Sequence, residues 1–198
     1  RSRTGRLLEP KTGMLSMTIQ SMLKGIDRPI SIVPVYLGYE HVMEVGTYHK
    51  ELKGNSKKKE SALGVFKAIG KLRNYGKGFV NFGKPINLNE ELTRLVPNWK
   101  DNIDTIDPQK PSWLTPSVNS LATQVMQAIN KAAALNPVAL TAMILLGQKN
   151  HAIAKNVLAS QLEFLLAMQK ALPYSDQVHI PDESGEQFTE AVQKLNKV

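Results

Sequence analysis

The sequence has no cysteine in its 198 residues. That excludes disulfides, thiolate nucleophiles and cysteine-ligated metals, and leaves a reducing compartment open without requiring one. Long apolar runs are also missing. The densest, Val138 to Leu146, is about half of the roughly 18–20 residues that cross a bilayer. No spanning segment is expected, while association with a membrane surface stays open. Aromatic residues make up only 6% and are not interleaved with arginine, which argues against stacking readout of single-stranded RNA. No initiator methionine and no apolar signal region precede Arg1-Ser2-Arg3, the start expected of a fragment or a processed product. His41 and Glu44, three apart, are the nearest approach to a metal pair, but two ligands do not make a site. No metal and no cofactor is expected.

What the chain has in excess is positive charge, unevenly placed. Residues 1–84 hold 16 Lys+Arg against 6 Asp+Glu, or +10, and residues 85–198 hold 9 against 11, or −2. A basic half beside a near-neutral half suits an anionic partner, whether phosphate, anionic lipid, an acidic carrier or nucleic acid. A solvated lysine-rich surface is the simpler reading of charge alone. The run Lys57-Lys58-Lys59 likewise reads first as a solvated loop, and second as a contact with anionic lipid or carrier.

The periodicities define an α/β first part and a helical second part. Arg1 to Gly13 reads as a loop. Met14 to Gly25 has helical spacing through Leu15, Ile19, Met22 and Leu23. Ile30 to Leu37 is a β-branched run, read as a buried strand that must lie at an edge or bulge at Pro34, which has no N–H to give. Tyr39 to Tyr48 reads as extended chain, Ser61 to Tyr75 as a helix, and Gly78 to Gly83 as a strand between glycines. Pro85 to Trp113 holds four of the eleven prolines and little periodicity, so the domain boundary is placed there, with residues 1–110 before it and 112–198 after it. Trp99 and Trp113 read as core residues, with an interfacial membrane anchor as the alternative. Helices are expected from Thr115-Pro116, from Asn136-Pro137 to about Leu146, from Ala154 to Leu172, and from Gly185 to Val198.

Arg1-Ser2-Arg3 is the sharpest local feature. Two guanidiniums flanking a hydroxyl present several N–H donors to phosphate oxygens, although a basic terminus taken alone reads more simply as a solvated chain end. Its context changes that weight. Arg1-Ser2-Arg3-Thr4-Gly5-Arg6 followed by Pro10-Lys11-Thr12-Gly13 resembles the third sequence block of the glycerolipid acyltransferases, without the Glu-Gly-Gly that normally precedes it. Ile32-Val33-Pro34-Val35-Tyr36 resembles the fourth block. Gly38 to Gly46, then Tyr48, Glu51-Leu52, Gly54 and Glu60-Ser61, with the Gly78 to Gly83 strand, are similar to the glycerol-3-phosphate branch.

The resemblance implies a partial acyltransferase-type mixed sheet with helices, followed by an all-α segment. It implies transfer of a fatty acyl group from acyl-CoA or acyl carrier protein to the sn-1 hydroxyl of glycerol 3-phosphate, with dihydroxyacetone phosphate open as an acceptor. Arg1 and Arg3 would hold the substrate phosphate, Ser2, Arg6 and Lys11 would support them, and Pro34 and Tyr36 would shape the nearby strand end. The family's catalytic pair is a His followed five positions later by an Asp, a general base with its orienting carboxylate. Here His41, His49, His151 and His179 are followed at that distance by Gly46, Gly54, Asn156 and Ser184. The pair is therefore expected upstream of Arg1, and these residues alone are not expected to catalyse. The expected partners are glycerol 3-phosphate, the acyl donor and an anionic membrane surface, at the cytoplasmic face of the inner membrane as a peripheral protein, without nucleic acid. The competing reading is a basic binding module for anionic membrane or nucleic acid, marked by steeply salt-dependent affinity and no preference for glycerol 3-phosphate.

Overall fold

The computed structural model describes residues 7–26, 28–40 and 76–195. Among them are six helices: α1 Gly13–Leu23, α2 Leu88–Leu95, α3 Leu114–Lys131, α4 Pro137–Leu146, α5 Lys155–Ala171 and α6 Gly185–Leu195. Four short strands accompany them: β1 Ser31–Ile32, β2 Val35–Tyr39, β3 Gly78–Phe82 and β4 Ile86–Asn87. The fold is the mixed α/β type expected, helical from Leu114 onward apart from one isolated bridge between Ala134 and His179. The expected helix Ser61 to Tyr75, and most of the extended Tyr39 to Tyr48, lie outside the described residues.

The expected continuous strand from Ile30 to Leu37 is in fact two. β1 pairs antiparallel with β4, Ser31 opposite Asn87 and Ile32 opposite Ile86. β2 pairs with β3 in a separate two-stranded sheet. Hydrogen bonds from the Gly83 N–H to the Pro34 carbonyl (2.8 Å) and from the Glu40 N–H to the Lys77 carbonyl (3.0 Å) bracket that antiparallel ladder at its two ends. The break falls at Val33-Pro34, where the missing proline N–H interrupts the donor row.

The chain divides into two compact units, each collecting pieces distant in sequence. The first comprises Arg1–Tyr36 and Phe82–Ala132. Its core joins Ile19, Met22 and Leu23 of α1 to Leu88 and Leu92 of α2, and to Leu114, Val118 and Leu121 of α3, with Trp99 among them. Each of these large side chains contributes about 1.5–3 kcal/mol by leaving water. Trp99 is a core residue, as expected by default, and its Nε1–H donates to Thr93 Oγ1 at 3.1 Å. Trp113 is half-buried against the same cluster.

Helix α2 corrects the reading of residues 85–113 as an aperiodic linker. Leu88, Leu92 and Leu95 recur at i, i+4 and i+7, a run too short to stand out between Pro85 and Pro97. Local chemistry starts it sharply. The Asn87 side chain accepts from the N–H groups of Asn89 (3.1 Å) and Glu90 (3.4 Å), and its own Nδ2 donates to Glu90 Oε1 (2.9 Å). That reciprocal cap is worth about 1 kcal/mol. Glu90 and Glu91 in the first turn and Arg94 in the last suit the helix dipole.

The second unit comprises Leu37–Asn81 and Ala133–Val198. Leu140 and Ile144 of α4, Leu158, Leu162 and Leu166 of α5 and Phe188 of α6 form its core. Asn136 caps α4 by accepting from the Ala139 N–H at 2.8 Å, with Pro137 at the first helical position, the arrangement the Asn136-Pro137 pair predicts. The chain before α4 is tied to the chain before α6: the Leu135 N–H donates to the His179 carbonyl (3.0 Å) and the His179 N–H to the Ala133 carbonyl (2.9 Å).

Candidate functional site

The structure treats the sequence-expected site residues unequally. Arg1, Ser2, Arg3 and Arg6 lie outside the described residues, as do His41, Glu44, His49 and the lysines 57–59. Lys11 is exposed and directly precedes Thr12, which stands at the N-cap of α1. No side chain caps that helix and its first turn holds no acidic residue, so its positive end is not offset by its own sequence. Pro34 is fully buried between β1 and β2. Tyr36 is half-buried on β2, and burial pushes its phenol above the ordinary value of 10.0. Pro34 immediately precedes β2 and Tyr36 lies on it, while Lys11 stands apart, in the chain leading into α1.

A cleft of about 530 Å³ lies in the second unit, between Glu40, Lys77, Phe79, Leu135, Phe188 and Lys194. Its geometry starts from two backbone features at residues 40 and 76. Glu40 follows the end of β2 and is only 8% exposed. Its carboxylate Oε2 accepts from the Lys77 N–H at 2.8 Å, while its own N–H donates to the Lys77 carbonyl. Gly76 makes this possible. It sits at φ +71°, and a Cβ there would stand 2.3 Å from Glu40 Oε2.

At the same place the Lys77 ammonium pairs with the Glu183 carboxylate. The hydrogen bond to Glu183 chiefly holds Lys77 above its usual value, and the same bond holds Glu183 below its own. Phe79, which lines the cleft, lies against His179 with ring centroids 6.4 Å apart at 46°. Apolar side chains (Phe79, Leu135 and Phe188) and charged ones (Glu40, Lys77, Glu183 and Lys194) line the cleft together. Such a cleft can hold an apolar group with a polar end. Neither Glu40, Lys77 nor Glu183 was singled out from sequence; the closely spaced Gly76 and Gly78 around Lys77 were the available signal.

Nothing described here supplies a general base with its orienting carboxylate. The described histidines are His151 and His179. His151, at φ +50°, places Nδ1 3.1 Å from the Leu145 carbonyl at the end of α4, and His179 is held by its backbone bridge. Among the described residues there is also no group of three His, Asp or Glu side chains that could hold a metal, and no helix long and apolar enough to cross a membrane.

Comparison with known proteins supplies the class. Residues 48–198 match the family described as the glycerol-3-phosphate acyltransferase C-terminal region. The chain is 65% identical over 198 residues to the glycerol-3-phosphate acyltransferase of Colwellia psychrerythraea, 60% over 197 residues to that of Pseudoalteromonas translucida and 53% over 198 residues to that of Shewanella halifaxensis. Each match covers 100% of this chain and 24% of the relative. The chain belongs to the glycerol-3-phosphate acyltransferase family, and it spans about a quarter of the length of the curated relatives it matches.

Proposed function

We propose that this chain is the latter part of an acyltransferase that moves a fatty acyl group from a thioester, acyl-CoA or acyl carrier protein, to the sn-1 hydroxyl of glycerol 3-phosphate. The hydroxyl oxygen attacks the thioester carbonyl as its proton passes to a histidine, the C–S bond breaks, and the departing thiolate takes that proton and leaves as the thiol. The histidine and its aspartate come from the rest of the enzyme. Residues 1–110 complete the acyltransferase domain and residues 112–198 form a helical segment following it.

The chain's own contribution to the reaction is the phosphate clamp. Arg1 and Arg3 bind the glycerol phosphate through charge-assisted hydrogen bonds, with Ser2, Arg6 and Lys11 supporting and with Pro34 and Tyr36 shaping the strand end. The observation that carries the reading is the similarity to glycerol-3-phosphate acyltransferases along all 198 residues, the arginine-rich start included. The uncapped positive end of α1 just beyond Lys11 is consistent with an anion there. The +10 charge of residues 1–84 supports a peripheral position on the anionic cytoplasmic face of the inner membrane.

The test is kinetic. In the full-length enzyme, Arg1→Ala or Arg3→Ala raises KM for glycerol 3-phosphate by about tenfold or more, the loss of one charge-assisted bond, and leaves KM for the acyl donor unchanged. An effect confined to the donor overturns the assignment.

A further inference from the structure

Glu40 is a buried acid without a counter-ion. It is 8% exposed, and its Oε2 accepts the Lys77 N–H at 2.8 Å. Among the described residues nothing donates to Oε1, and no cation forms an ion pair with the carboxylate. The Lys77 ammonium feels the charge through space but gives its hydrogen bond to Glu183. A carboxylate offers about four acceptor positions, and taking one out of water is unfavourable unless a hydrogen-bonding cation accompanies it. The fold nonetheless fixes this one in place. The Glu40 N–H donates to the Lys77 carbonyl at 3.0 Å, so backbone and side chain are both tied to Lys77. Gly76 omits the Cβ that would displace Oε2. An acceptor held in this way has little ordering left to undergo on binding.

Glu40 lines the cleft of about 530 Å³, a volume within the range of small-molecule sites. Every lining residue belongs to the second unit. The lining acids are Glu40, Glu183 and Glu190, and the lysines are Lys77 and Lys194. With Lys77 engaged by Glu183, two acids remain against one lysine, an excess of one negative charge. Phe79 and Phe188 add aromatic surface and Leu135 aliphatic surface. Aromatic rings beside a carboxylate suit an organic ammonium ion, since ring faces attract the cation and the carboxylate accepts its N–H groups. A neutral amide or alcohol would leave the Glu40 charge uncompensated, and an anion would meet two acids. A metal ion gains nothing from the apolar walls, and no group of three His, Asp or Glu side chains stands ready for one among the described residues.

We propose that the cleft binds a primary ammonium ion carried on an apolar body. The ammonium donates to Glu40 Oε1, and the body lies against Phe79, Leu135 and Phe188. This goes beyond the acyl-transfer reading and does not rest on it.

The test is calorimetric titration of the full 198-residue protein at fixed ionic strength. Three probes share one body and differ in the head group: phenylbutylammonium, phenylbutanol and phenylbutyrate. The ammonium should bind saturably and about tenfold or more tighter than the alcohol, with the carboxylate weakest. Glu40→Gln, which keeps an acceptor for the Lys77 N–H, should remove the advantage of the ammonium and leave the affinity for the alcohol unchanged. Lys194→Gln removes a like charge from the lining and should tighten the ammonium about twofold, again without effect on the alcohol. The two substitutions thus act in opposite directions on one probe, which loss of packing does not do. Absence of saturable ammonium binding by the parent overturns the proposal, as does an ammonium affinity that Glu40→Gln leaves unchanged. Equal affinity for the three probes reduces the site to an apolar hollow and overturns it too. Should circular dichroism show Glu40→Gln unfolded, Lys194→Gln decides, and an ammonium affinity unchanged or weakened there overturns the proposal. Acyl transfer is measured in none of these titrations, so the chemistry can fail while this site stands, and the reverse.

Discussion

The backbone N–H of Gly185 donates to the Glu163 carboxylate at 2.7 Å, and a Cβ on that glycine would stand 2.1 Å from the Ala159 carbonyl oxygen. The first turn of α6 therefore lies directly on the backbone of α5. Backbone atoms cannot rotate aside, so Gly185→Ala must lift α6 and expose Phe188 and Leu162. Alanine's better helix propensity is worth about 1 kcal/mol at most, against an overpacking cost of about 1–3 kcal/mol. The variant should unfold several degrees below the parent in a thermal scan. A raised Tm would show that the two helices are not in close approach.

Glu40 and Gly76 depend on each other in a similar way. The Glu40 carboxylate occupies the space a Cβ at residue 76 would need, and it accepts the Lys77 N–H. Gly76→Ala combines a left-handed φ with that collision and should cost at least about 1 kcal/mol. Glu40→Gln keeps an acceptor oxygen and should be nearly neutral. Glu40→Ala leaves the N–H without its partner and should cost about 1–3 kcal/mol. Denaturant midpoints order the three variants. Equal losses for Glu40→Gln and Glu40→Ala would mean that charge, not the hydrogen bond, holds this corner.

How much of this could be read in the sequence depends on the range of the interactions concerned. Asn136-Pro137 announces α4 because cap and first turn are adjacent residues, and the stripe through Val118, Leu121 and Ala122 announces α3 because a helix repeats within itself. Pro34 announces a defect in its strand because the missing N–H is its own. In contrast, α2 hides between prolines, since three leucines gain their meaning only from burial against α1 and α3. The bridge from Ala134 to His179 joins residues far apart in sequence and leaves no local trace. The Glu40, Lys77 and Glu183 corner is hidden for the same reason. The arginines of the proposed phosphate clamp were legible only by family likeness, because two basic residues at a chain end carry no geometry of their own.

The ion pair between Lys77 and Glu183 should make a small, pH-bounded contribution to stability. Glu183 titrates below its usual 4.5, so its share is present above that value and is lost as pH falls through the lower folded value. Lys77 titrates above its usual 10.5, so its share is full below that value and is lost as pH rises through the higher folded value. Lys77 is 64% exposed, and solvent screening keeps the pair under about 1 kcal/mol. Lys77→Met should therefore lower the urea midpoint slightly near neutral pH and low salt. The difference should vanish once the pH has fallen through the lowered folded value of Glu183, and shrink in about 1 M salt. A loss that persists in acid would assign the effect to packing of the lysine stem at the cleft mouth.

Tyr36 joins the proposed site to an observable that needs no substrate. Burial holds its phenol above 10.0, so ionisation is opposed in the folded state. Its contribution to stability is full below 10.0 and is lost as pH rises through the higher folded value. Alkaline titration of tyrosinate absorbance should show a component above the ordinary range, and Tyr36→Phe should remove it and flatten the alkaline limb of the stability profile. The same neutrality limits what Tyr36 can do in the full-length enzyme, because a phenol that keeps its proton at working pH cannot serve as the base. Tyr36→Phe should thus leave the pH profile of kcat/KM in place, while Tyr36→Ala, which removes the half-buried ring from β2, should lower kcat/KM well beyond the phenylalanine variant. If Tyr36→Phe moved a limb of that profile, the tyrosine would have to exchange a proton during the reaction, and its assignment as a shape-determining residue of the strand end would be wrong.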